Sequence, residues 1–115
     1  MKISIRRVDQ ATILDVSGNI DMSNSPEVRK ALLREIRENS VSRVVLNLTG
    51  VAYIDSSGVA SLVEGLKASR ESGTRLILFG LSDSPREVLK ISRLVKLFEI
   101  YDDEQQAMAS PTPSN

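Results

Sequence analysis

The stretch with the clearest capacity for chemistry is Asp-Ser-Ser-Gly at residues 55–58. It follows a short apolar run, VVLNL, and precedes a segment with helical periodicity, so the two serines lie where a strand's loop enters a helix. Backbone N–H groups at a helix start have no partner inside the helix, which makes such a position suitable for binding or modification. The simpler interpretation, which the spacing alone favours, is that Asp55 or Ser56 caps the helix and that Gly58 is tolerated in its first turn.

The composition excludes most catalytic uses of these hydroxyl groups. The chain contains neither cysteine nor histidine, so disulfides, the usual zinc sites and histidine-dependent catalysis are absent. A serine nucleophile would need a lysine as base, and no Ser-x-x-Lys or Gly-x-Ser-x-Gly motif accompanies Ser56 or Ser57. Phosphate-binding glycine loops are also missing, although an anion at the bare helix start stays possible. We therefore expect no enzyme activity, no catalytic residue, no metal site and no cofactor.

Charge and hydropathy limit which partners and which cellular compartment we expect. Lys plus Arg and Asp plus Glu each number 15, which gives a formal net charge of zero and no overall attraction to nucleic acid or anionic lipid. No apolar run is long enough to span a membrane or to form a signal peptide. We expect a cytoplasmic protein that neither binds nucleic acid directly nor inserts into a membrane.

Alternating and helical patterns predict a single α/β domain of order β-β-α-β-α-β-α-β-α, with a mixed four- to five-stranded β-sheet covered by about four helices. An antiparallel hairpin over residues 3–17 opens the chain, and the VVLNL strand lies in mid-sheet. Ser25, Ser84 and Asp102 are the expected caps of the first, third and fourth helices, and Gly73 ends the second. The domain covers residues 1–109, and the polar, proline-rich residues 110–115 form a mobile tail.

The second helix has one predicted apolar face and one face of small and polar residues. Val59, Leu62, Val63 and Leu66 recur at helical spacing and should point inward. That orientation turns Ser57, Ser61, Glu64 and Ala68 outward, where small side chains permit close approach by a partner, although simple solvation is the commoner fate of such a face. We take Ser61 and Glu64 as candidate partner-binding residues.

Two motifs in this order resemble a known family. VSGNID at the end of the second strand and VVLNL…DSSG after the third strand look like a STAS domain of the bacterial anti-sigma factor antagonist type, and the similarity extends over nearly the whole chain. It implies a protein that binds a serine-kinase anti-sigma factor and frees the sigma factor that this kinase holds. It also implies a serine phosphatase that acts on the phosphorylated form.

The resemblance assigns roles to individual residues. The family's phosphorylated serine is the first residue after the aspartate, which is Ser56 here. Asp55 and Ser57 flank that site, Asp21 of GNID matches a position that the family places nearby, and Gly58 matches the glycine at which the helix begins. A phosphate on Ser56 would add about −1.5 to −2 charges, which a helix N-terminus accepts without unfolding.

Two departures from the family pattern keep an alternative open. GVASLVEG replaces the Gly-Leu-Gly usual after Asp-Ser-Ser, and Arg93 stands where the family often has glycine. The chain could instead be a STAS domain that is not phosphorylated and serves as a regulatory or structural subunit of a transport or signalling complex. In that case Ser56 would only cap the helix.

Overall fold

Five strands and four helices follow one another in the predicted order across residues 1–110, the part of the chain that the computed structural model describes. The strands are β1 (Lys2–Val8), β2 (Ala11–Ser17), β3 (Arg43–Gly50), β4 (Arg75–Phe79) and β5 (Glu99–Tyr101). The helices are α1 (Ser25–Glu38), α2 (Ser56–Ser72), α3 (Asp83–Ile91) and α4 (Glu104–Ala109). The prediction of a single α/β domain with this order is confirmed. No helix within residues 1–110 is long and apolar enough to cross a membrane.

The strands form one mixed sheet in the order β1-β2-β3-β4-β5. β1 and β2 pair as the predicted antiparallel hairpin, and all later neighbours are parallel. β3 lies in the centre, which explains why its side chains are apolar on both faces. The carboxyl ends of β2, β3 and β4 therefore meet at one edge of the sheet, where the loop before α2 also lies.

Alternate residues of the strands build two separate cores. Leu14, Leu46 and Leu78 face one side, where they pack against apolar residues of α1, α2 and α3. Neighbouring strand residues face the other side, where the short α4 is the one helix within residues 1–110 that covers them. The members of that smaller core are Ile13, Val45, Ile77, Phe79 and Ala107.

Three predicted helix caps are displaced by one or two residues. The N-cap position of α1 is Asn24, whose side chain makes no capping hydrogen bond. Ser25 is already helical and is buried. α3 starts at Asp83 after Ser82, whose hydroxyl donates to the carbonyl of Val51 at 3.0 Å instead of capping the helix. The prediction that Ser84 caps α3 is therefore wrong.

The cap of α4 is also displaced, but here it lies one residue later than predicted. Asp103 rather than Asp102 caps the helix, because its carboxylate lies three residues before the amide of Gln106, which donates to it at 2.8 Å. By contrast, α2 begins after Asp55 and ends at Gly73 with φ +71°, as the sequence predicts.

The end of α3 explains a departure from the family pattern. Arg93 has φ +60°, in the left-handed region that favours glycine. Its amide donates to the carbonyl of Lys90 at 3.0 Å, and the next amide, of Leu94, returns to the carbonyl of Leu89 at 2.8 Å. The glycine common at this position in the family thus meets a backbone requirement of the helix end, which arginine meets here at a cost of about 1–2 kcal/mol.

Two neighbouring arginines hold the end of α4. Arg43 on β3 donates to the carbonyl oxygens of Ala107 and Met108 at 2.9 and 3.1 Å. Arg43 and Arg75, which are register partners, both donate to Ser110. Ser110, the first residue of the predicted tail, is buried. The remainder of that tail, residues 111–115, lies outside the described residues.

Candidate functional site

Asp55 organises the start of α2. Its Oδ1 accepts hydrogen bonds from the Ser57 hydroxyl at 2.6 Å and from the Gly58 amide at 3.0 Å. Its Oδ2 accepts from the amide of Met22, in the loop after β2, at 3.0 Å. These donors lower the pKa of Asp55 below its ordinary value, chiefly the Ser57 hydroxyl, followed by the amides of Gly58 and Met22. Asp55 is thus the helix cap, and it also joins two loops.

Ser56 is the first residue of α2, and its side chain is exposed. Within residues 1–110 its hydroxyl forms no hydrogen bond, whereas the neighbouring Ser57 hydroxyl is committed to Asp55. The two serines are therefore not equivalent. Ser57 belongs to the cap, and Ser56 presents a free hydroxyl group to solvent.

The GNID and DSSG segments meet because β2 and β3 extend their parallel pairing beyond the strands. Ile20 and Ile54 form an isolated parallel bridge, the Ile20 amide donates to the carbonyl of Tyr53 at 3.0 Å, and the Asp55 amide donates to the carbonyl of Ile20 at 3.1 Å. Asp21 therefore lies in the loop that contacts Asp55. Its own carboxylate accepts from the amide and hydroxyl of Ser23, at 2.9 and 2.6 Å, and so shapes that loop.

Gly58 permits this meeting of the two loops. A Cβ atom at this position would lie 2.7 Å from Cγ2 of Ile54, 2.9 Å from Cγ2 of Ile20 and 3.1 Å from the carbonyl oxygen of Ile20. Any side chain would push the first turn of α2 away from both isoleucines. The glycine is required by close packing rather than merely tolerated.

The prediction that the small and polar residues of α2 point outward is partly wrong. Ser61 is buried, and its hydroxyl donates to the carbonyl of Ser25 at 3.1 Å, while Ala68 is also buried. α1 packs along this side of α2, so the helix is covered by both the sheet and a neighbouring helix. Ser61 is therefore not available at the surface. Glu64 is exposed and pairs with Arg29 at 3.4 Å.

Two exposed apolar residues next to the site were not predicted. Met22 has 78% of its surface exposed and Tyr53 has 46%. Both lie in the loops that flank Asp55. No periodicity marks a loop residue, so the only sequence signal was their proximity to GNID and DSSG.

The arrangement does not resemble a nucleophile with its base. The carboxylate that contacts the Ser57 hydroxyl has a lowered pKa, so it is a weaker proton acceptor than an ordinary aspartate. Within residues 1–110 neither Asp21 nor Asp55 forms an ion pair, and no group of acidic side chains there could hold a metal ion. What the site offers is an exposed hydroxyl group beside a fixed negative charge.

The exposed hydroxyl thus lies at the start of a helix in an α/β domain with a mixed five-stranded sheet, and the comparison with known families identifies the class of protein. The sequence model described as STAS domain matches residues 2–107. The chain belongs to the STAS domain family.

Several relatives with similar sequences are named anti-sigma factor antagonists. The chain is 35% identical over 105 residues to an anti-sigma-B factor antagonist from Listeria monocytogenes serovar 1/2a, with 90% of each chain covered. An anti-sigma factor antagonist from Mycobacterium paratuberculosis has the same fold, with a TM-score of 0.84, 20% identity and coverage of 93% of this chain and 90% of that one.

A second solved structure is of a phosphorylated protein. The Bacillus cell fate determinant SpoIIAA in its phosphorylated form matches with a TM-score of 0.72 and 20% identity, over 93% of this chain and 96% of that one. The names of the Listeria and Mycobacterium relatives describe antagonists of anti-sigma factors.

Proposed function

We propose that this chain is an anti-sigma factor antagonist that binds a serine-kinase anti-sigma factor and is switched off when that kinase phosphorylates Ser56. In the transfer, the γ-phosphoryl group of ATP passes to Oγ of Ser56, the hydroxyl proton is lost and ADP leaves. A serine phosphatase would restore the active form. The proposal implies a cytoplasmic location, because sigma factors act on RNA polymerase there. The observation that carries it is the exposed Ser56 hydroxyl, which has no partner in residues 1–110.

The electrostatics of the helix start explain why one phosphate would suffice. Asp55 already accepts from the Gly58 amide and the Ser57 hydroxyl, so these donors are not free to neutralise a phosphate. The phosphate would add about −1.5 to −2 charges next to a carboxylate. A partner that covers this surface must then bury or face unpaired charge. A loss of about 3 kcal/mol lowers affinity more than a hundredfold.

The fold itself should not change on phosphorylation. The Ser56 hydroxyl makes no hydrogen bond within residues 1–110 that the modification would break, and the side chain already faces solvent. The unphosphorylated and phosphorylated forms of SpoIIAA match this chain equally well, with TM-scores of 0.71 and 0.72. We therefore expect a switch that acts on the surface of a folded domain.

Calorimetry with the purified serine-kinase anti-sigma factor of the same organism tests the switch. Ser56→Ala should bind about as well as the wild type, whereas Ser56→Asp should bind at least tenfold more weakly. Ser72→Asp, which adds the same charge at an exposed serine at the opposite end of α2, should bind normally. Equal affinities of the Ser56→Asp and Ser56→Ala proteins would refute the switch.

A phosphorylation assay separates the proposal from the alternative of an unmodified subunit. Incubation with the same kinase and ATP, followed by mass spectrometry, should add one phosphate to the wild type and none to Ser56→Ala. A wild-type chain that stays unlabelled would favour a structural or regulatory subunit of a transport or signalling complex.

A further inference from the structure

The most exposed large apolar side chain in residues 1–110 lies beside the candidate phosphorylation site. Met22 is 78% exposed, and its backbone amide donates to Oδ2 of Asp55, the residue immediately before Ser56, at 3.0 Å. A large apolar side chain left in water is normally without consequence when it stands alone. Met22 differs because a capping carboxylate fixes its backbone next to a functional hydroxyl.

The loop around Met22 is held on both sides. The Asp21 amide donates to Oδ1 of Asn24 at 2.9 Å, and the Asp21 carboxylate accepts from the Ser23 amide. The carbonyl of Asp21 also accepts from the amide of Ser25, the first residue of α1, at 2.7 Å. The methionine is thus presented from an ordered turn. Little backbone entropy would be lost when a partner covers it.

We propose that Met22 is an apolar anchor for the same serine-kinase partner, an inference that rests on the proposed function. A kinase that phosphorylates Ser56 must cover the surface around that hydroxyl. A standard interface buries about 800 Å² on each partner, a patch roughly 15 Å in radius. A residue whose amide contacts Asp55 falls inside such a patch, so the partner covers Met22 whenever it reaches Ser56.

The chemistry of the surface fits a protein partner with an apolar pocket. Methionine and tyrosine are enriched in the cores of protein interfaces, and Tyr53, 46% exposed, lies on the neighbouring loop. The flexible thioether side chain adapts to the shape of an apolar pocket. Phosphorylation of Ser56 then places a charge at the edge of the apolar contact, where its desolvation is costly.

Binding measurements on Met22 variants test the anchor. Met22→Ala should weaken binding of the unphosphorylated chain to the purified serine-kinase anti-sigma factor about tenfold or more, because a buried methionine side chain contributes that much. Met22→Glu should weaken it further, and Met22→Leu should retain most of the affinity. Ile91→Ala is the matched control, since Ile91 is 73% exposed but lies on α3. Thermal unfolding of every variant should match the wild type.

The possible outcomes distinguish this inference from the proposed function. If the wild type binds and is phosphorylated while Met22→Ala binds equally well, the anchor is overturned and the proposed function stands. If Ile91→Ala loses as much affinity as Met22→Ala, the effect is not local and the anchor is again overturned. If the wild type neither binds the kinase nor is phosphorylated by it, both fail.

Discussion

Gly58 illustrates how one residue decides the geometry of the site. Helix propensity alone would favour alanine at this position by about 1 kcal/mol. The contacts that a Cβ atom would make with Ile54 and Ile20, at 2.7 and 2.9 Å, oppose this preference. Because glycine lacks this atom, the GNID loop can approach the start of α2. Packing therefore outweighs propensity here.

We expect Gly58→Ala to lower the free energy of unfolding by about 1–3 kcal/mol, because overpacking must shift the first turn of α2. Gly65→Ala on the same helix is the comparison. Its Cβ atom would lie 3.1 Å from Cδ1 of Leu32 and 3.5 Å from Cδ2 of Leu76, both at the ends of flexible side chains, so its effect should be smaller. Urea unfolding measures both. Stabilisation by Gly58→Ala would contradict the packing argument.

At the scale of the element, α2 depends on an ionised cap. The pKa of Asp55 is lowered by its hydrogen bonds to Ser57, Gly58 and Met22, so the unfolded chain takes up a proton on this residue at a higher pH than the folded chain does. Stability that depends on the ionised form is fully present above the ordinary aspartate pKa of about 3.9 and is lost as the pH falls below it. The cap therefore weakens in acid as Asp55 becomes protonated.

Asp55→Asn tests this dependence because asparagine also caps helices but carries no charge. Between about pH 4 and pH 2 the free energy of unfolding should fall less steeply for the variant than for the wild type. Asp15, whose pKa is lowered mainly by Arg6, contributes its own acid dependence to both proteins and cancels in the comparison. Superimposable pH profiles would show that the charge of Asp55 adds nothing.

At the scale of the whole molecule, the sheet is covered unequally. Three helices cover one face, and the six-residue α4 covers the smaller core on the other. So short a helix is not stable by itself. Hydrogen bonds hold the end of α4 in place, and Arg43 and Arg75 donate them. An ion pair between Arg6 and Glu104, at 2.7 Å, holds its start.

Replacement of Arg43 should therefore loosen α4 before the rest of the domain. We expect Arg43→Gln to cost about 1–3 kcal/mol, since it removes charge-assisted hydrogen bonds to backbone carbonyls. Hydrogen exchange should accelerate in α4 while α1 and α2 stay protected. Arg37→Gln, at an exposed position on α1, should change neither the free energy of unfolding nor the hydrogen exchange of α4. Uniform acceleration throughout the domain would refute a local clamp.

Local sequence patterns were enough to predict the order of the elements, the initial hairpin and the start of α2 after Asp55. These features depend on local signals, namely hydrophobic period and turn chemistry, which neighbouring residues carry. The caps of α1, α3 and α4 shifted by one or two residues because several polar residues compete at each helix start. Local sequence does not specify which of them the backbone uses.

Which side chains reach the surface near Ser56 depends instead on how distant segments pack together. Ser61 and Ala68 are buried because α1 covers the side of α2 that an apolar period would leave to solvent. Met22 belongs to the site because its backbone amide donates a hydrogen bond to Asp55, which is 33 residues away in the chain. Exposure depends on what packs against a residue, and those neighbours come from distant segments that periodicity cannot pair.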